Sequence, residues 1–129
     1  MAKEELVAGF KLFAQALEEA AGPVALLMLL PVDPASEAAW TVLVSAHGFD
    51  GRSQHDSIQA VVAQLNALGN AEVMGMVKKV GVLRTDEPFV KAMNSAIRAE
   101  GSVIDMTATT VAGVEIPRAI LFESKRIAA

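Results

Sequence analysis

Trp40-Thr-Val-Leu-Val-Ser-Ala-His-Gly-Phe-Asp-Gly-Arg-Ser-Gln-His-Asp56 is the stretch that decides the fold. It opens as an apolar, β-branched run, breaks at Gly48 and Gly51, and reaches Ser53 with Asp56 three residues later. That is a strand, a turn and a capped helix start, the first half of a crossover unit. The same stretch holds the chain's single Trp and both of its His residues.

Working outward, Leu6, Phe10, Phe13 and Leu17 recur at helical spacing and predict a helix over 3–21, stopped by Gly22-Pro23. Val24 to Leu30 is an uninterrupted apolar run between prolines, the pattern of a buried strand. Residues 39–46 then read as a second strand, antiparallel to the first, with Trp40 packing under the hairpin. Beyond the turn, Ile58, Val61, Val62, Leu65 and Leu68 form the stripe of a second helix. A third strand is expected within 72–84, where Gly75 and Gly81 suggest a bulge or a close backbone approach. Thr85-Asp86-Glu87-Pro88 predicts a third helix with a side-chain cap and an early Pro, ending by Gly101. Residues 102–111 and 114–123 are the last two strands, joined by a two-residue turn at Ala112-Gly113.

The order α-β-β-α-β-α-β-β predicts an α/β fold, with α+β as the alternative. It takes the form of one mixed five-stranded sheet with three helices, and residues 1–129 form one domain. The two helical crossovers favour a parallel core flanked by antiparallel hairpins. Pro117 falls opposite Ala108 at a non-hydrogen-bonded position, so 114–123 is expected at an edge, at least locally. In that register Thr107 faces Arg118, and Asp105 and Arg118 form a surface pair.

Composition narrows the chemistry. Of 129 residues 53% are hydrophobic, but 23 are Ala, leaving an ordinary core and room for one apolar interface. Cys and Tyr are both absent, which removes disulfides, thiolate chemistry and phenolic acid–base catalysis. The net charge of −4 divides into three basic and eight acidic groups over 1–69, and eight and seven over 70–129. Neither half is a basic surface, so nucleic acid is not an expected partner. The uncharged apolar run from Ala20 to Val32 is interrupted by two prolines and is too short to span a bilayer. No membrane partner is expected, and the cytoplasm is the expected compartment.

Three constellations carry possible chemistry. The first is His47, Asp50, Arg52 and His55, at a predicted strand end and helix start. Arg84 and Asp86 would lie at the matching end of the next crossover strand. These six residues form a ligand site if Arg84 and Asp86 reach the same sheet edge; otherwise each has a local job in turn or cap. A metal held by His47, His55 and a carboxylate is a variant of that idea, though the spacing follows no ligand pattern.

The second is Asp105 with Glu123-Ser124-Lys125, which resembles the metal-dependent nuclease core of restriction-endonuclease-like enzymes over about the last twenty residues. The hairpin register turns Asp105 and Glu123 to opposite faces unless a bulge near Pro117 intervenes. The third is Met74, Met76, Met93 and Met106, expected to pack in the core.

No nucleotide-binding loop or nucleophile turn is present, and no cofactor is expected. The leading expectation is a small non-enzymatic protein that acts through protein–protein contact as a homodimer. A small-molecule crevice near His47 and Arg84 comes second, and the nuclease-like core third.

Overall fold

The computed structural model describes residues 2–33, 35, 38–68 and 71–126, with side chains except those of 2–5, 72, 101 and 102. Helix α1 (Ala2–Ala21) is followed by the antiparallel hairpin of β1 (Val24–Pro31) and β2 (Trp40–Ala46). A 3-10 turn (His47–Phe49) leads into α2 (Gln54–Ala67). A short helix α3 (Ala71–Met76) precedes β3 (Val77–Val82), and α4 (Pro88–Ala96) precedes the hairpin of β4 (Ala99–Val111) and β5 (Val114–Ser124).

The five strands form one mixed sheet in the order β3-β2-β1-β5-β4. The expected architecture is therefore present, with a fourth helix where the strand over 72–84 was expected to begin. Gly75 falls in that helix, whereas Gly81 meets the expectation of a close approach: a Cβ there would stand 3.1 Å from Leu43 Cδ1.

Two sides of the sheet are covered unequally. Leu6, Phe10, Phe13 and Leu17 of α1 pack with Val61, Leu65 and Val73 of α2 and α3 on one face, around the fully buried Trp40. Phe10 meets Phe13 edge-on at 5.6 Å and Phe122 at 5.8 Å, arrangements worth about 0.5–1.5 kcal/mol beyond the area they bury. Among the described residues the other face carries α4 alone, whose Val90 and Met93 pack with Leu26, Met28, Met106 and Leu121. The methionines thus serve packing, as expected: Met93 and Met106 are buried, and Met74 and Met76 lean on the first cluster.

Strand directions correct the expected parallel core. The α2 crossover does join parallel neighbours, β2 and β3. The α4 crossover instead carries the chain to β4 at the opposite edge, antiparallel to β3. Burial explains the insertion of β5 between β1 and β4. Ile120 and Phe122 pack on the α1 side and Leu121 on the α4 side, so this segment needs a neighbour on both flanks and cover on both faces.

The edge expectation for 114–123 is accordingly half corrected. Residues 120–124 are interior, paired with β1 and β4, while the Pro117 half runs past the last β1 pair, Leu29 with Ile120. The hairpin register is as expected: Val111 opposite Val114, Thr107 opposite Arg118, Asp105 opposite Ile120. Ala112 and Gly113 both have positive φ, 52° and 77°, the signature of a type I′ turn.

Met106 and Val111 bury in the same cluster although they stand five positions apart, an odd offset. The pleat reverses between them at Ala108, whose φ is 47°. The ribbon therefore rolls at Ala108 and keeps its apolar side chains turned to the α4 face.

Candidate functional site

The loop after β2 and the loop after β3 leave the sheet at the same end, because the two strands are parallel neighbours. Three long-range hydrogen bonds then join them. Asp50 accepts the Thr85 N–H on Oδ1 at 2.9 Å and the Thr85 hydroxyl on Oδ2, and its backbone carbonyl accepts Arg84 Nη1 at 2.8 Å. Gln54 Nε2 adds a bond to the Val82 carbonyl at 2.9 Å. Arg84 also holds Asp86 at 3.0 Å, with both side chains 59% exposed. That hydrogen bond keeps the Asp86 carboxyl below the ordinary carboxylate range and the Arg84 guanidinium above its own.

The positioning is local and steric as much as polar. The His47 N–H donates to the Pro23 carbonyl at 3.1 Å, which pins the start of the loop to the end of α1. Gly48 then passes so close to α1 that a Cβ would lie 2.5 Å from the Ala21 carbonyl oxygen. Phe49 is buried beneath the loop, and Arg52 stacks over its ring at 5.7 Å. Ser53 caps α2 by accepting the Asp56 N–H at 3.1 Å.

Of the six expected site residues, the structure brings Asp50, Arg84 and Asp86 into one bonded group. Arg52 lies apart on Phe49. His47 and His55 are exposed, and neither imidazole bonds to that group. The α4 cap departs from expectation: Thr85 is drawn to Asp50, and α4 begins at Pro88 after Glu87 without a side-chain cap. Sequence spacing could not show Thr85's partner, which stands thirty-five residues away.

The Asp105–Glu123–Lys125 set is divided. A bulge does occur, at Phe122 rather than near Pro117, and it turns Glu123 to the α1 side with Asp105. Asp105 lies opposite Ile120, three positions or roughly 10 Å along the strand from Glu123. Asp105 pairs with Arg118 at 3.7 Å and Lys125 with Glu18 at 3.0 Å. Burial draws the Lys125 ammonium down, but the bond and charge of Glu18, with Glu123 and Glu100, outweigh it and hold it above the ordinary lysine range. Among the described residues no group of three His, Asp or Glu is placed to hold a metal ion. Among them too, no helix is long and apolar enough to cross a membrane.

A cleft of about 390 Å³, lined by Asn94, Ser95, Arg98, Glu100, Lys125 and Arg126, opens where α4 ends and β4 begins. Sequence reading named only Lys125 here; the available signal was the concentration of basic residues in the second half of the chain. Compared with protein families, curated proteins and solved structures, the chain matches none.

Proposed function

We propose that the protein acts through protein–protein contact as a homodimer, joined along the outer edge of β4. The supporting observation is the character of that edge. β4 is 13 residues long and, among the described residues, has a neighbouring strand on one side only. From Val103 to Val111 it carries one charge, Asp105, and no Pro.

Edges of this kind are usually blunted by Lys, Pro or a covering element, and an unblunted one pairs with another strand. The hydrogen-bonded pair beside the type I′ turn is Val111 with Val114, so Thr110 and Met106 direct their N–H and C=O groups outward. An identical strand about a two-fold axis satisfies both copies at once. Val114, 48% exposed at the hairpin tip, adds apolar area beside the edge.

Light scattering on the eluting protein tests this: twice the chain mass at micromolar concentration supports it, and a monomer at all concentrations removes it. A ligand crevice at the loop junction is the second reading, favoured by the bonded approach of Arg84 to Asp50. It requires a His47→Ala variant that stays folded and loses the ligand.

A further inference from the structure

We propose that the cleft between the end of α4 and the ends of β4 and β5 is an oxyanion site. Its ligand class is a small organic phosphate or carboxylate with a hydroxylated body. Every residue lining it is polar, and three are cations against one carboxylate. In a chain of net charge −4 such a grouping needs a reason.

The ordinary reason, capping the negative end of α4, does not account for them, because the side chains of all three cations bond elsewhere. The Ser124 hydroxyl lies 3.3 Å from the Met93 carbonyl and 2.7 Å from the Ile97 carbonyl. None of Arg98, Lys125 and Arg126 has a side-chain bond to those carbonyls.

Pairing separates the three cations. Arg98 is held by Glu100 at 2.6 Å and Lys125 by Glu18 at 3.0 Å. Arg126 meets only a neutral partner among the described residues, donating from Nη2 to Ser95 Oγ at 2.9 Å. One of its five N–H donors is used there, and the Ser95 hydroxyl keeps its own proton to donate. A guanidinium with spare donors beside a hydroxyl donor is the recognition unit for phosphate and carboxylate. The Asn94 carbonyl oxygen is an acceptor for a ligand hydroxyl, since the amide nitrogen of Asn94 is occupied by Ala25 and Ser124. The cleft volume exceeds that of a bare ion, which points to a ligand with a polar body rather than phosphate alone.

Titrating the intact protein with inorganic phosphate, glycerol 3-phosphate and glycerate, followed by amide NMR, tests the site and separates the two anion chemistries. The expected result is saturable shifts centred on Ser95 and Arg126, tighter for an organic anion than for inorganic phosphate. Arg126→Gln is expected to weaken binding by about tenfold, and Lys79→Gln on the exposed part of β3 to leave it unchanged. No saturable shift with any of the three at about 10 mM overturns the proposal, as does equal weakening by both variants. The outcome is independent of the oligomeric state.

Discussion

Asp50 and Thr85 are joined twice, by the Thr85 N–H at 2.9 Å and by its hydroxyl, so one carboxylate fastens the loop after β2 to the loop after β3. Two acceptor atoms of a charged side chain meet two donors of one residue, a geometry that fixes both loops. Asp50→Ala leaves the Thr85 donors without their partner and is expected to cost about 2–3 kcal/mol. Urea unfolding of the variant against the parent checks this; a difference under about 0.5 kcal/mol would mean that water replaces the carboxylate at no loss.

Gly48 is required by steric approach rather than by φ. A methyl group at that position meets the Ala21 carbonyl oxygen at 2.5 Å, a backbone atom that cannot swing away. Gly48→Ala is expected to destabilise by about 1–3 kcal/mol, read as a lower thermal midpoint with unchanged secondary structure.

Ala108 carries the opposite expectation. Its φ of 47° is costly for any residue with a Cβ, and the reversal it makes keeps Met106 and Val111 on one side. Ala108→Gly is expected to stabilise by about 0.5–1 kcal/mol after the extra backbone entropy of Gly is subtracted. Loss of stability in denaturant would show that Ala108 does not hold this conformation in solution.

The Arg84–Asp86 pair predicts a pH dependence. A carboxyl whose folded pKa lies below its unfolded value contributes stability at neutral pH and loses it as the pH falls through the folded value. The stability difference between the parent and Asp86→Asn is therefore expected near neutrality and lost as the pH falls through the lowered folded-state value of Asp86. Both groups are well exposed, so the effect is small and weakens with salt. Thermal midpoints across that range, at low and high salt, check the sign.

Local features were legible in the sequence. The register of the last hairpin follows from one turn, Ala112-Gly113, and it placed Thr107 opposite Arg118 correctly. The α1 stripe and the Ser53 cap follow from spacing alone. Non-local choices were not legible. Nothing in the periodicity of 114–124 distinguishes a neighbour on one side from a neighbour on both, so the place of β5 beside β1 was hidden, and with it the bulge at Phe122. Residues 71–76 combine helix-tolerant and β-branched side chains, and packing of Val73 against α1 at Gly9 decides for helix. At the candidate site, the shared sheet end could be anticipated from the crossover, but not Asp50's choice of Thr85 as partner.

The most direct measurement of self-association along β4 is amide hydrogen exchange at Thr110 and Met106, compared with Thr109 and Thr107, over a range of protein concentrations. Thr109 and Thr107 stand opposite Ile116 and Arg118, at positions that the alternation from the turn directs inward to β5, and are expected to be protected throughout. Pairing of two β4 edges predicts that Thr110 and Met106 are protected at high concentration and released on dilution. It also predicts that Thr110→Pro, which removes an outward N–H only, abolishes the concentration dependence at Met106. Fast exchange of the outward amides at every concentration, with the inward ones protected, would contradict it.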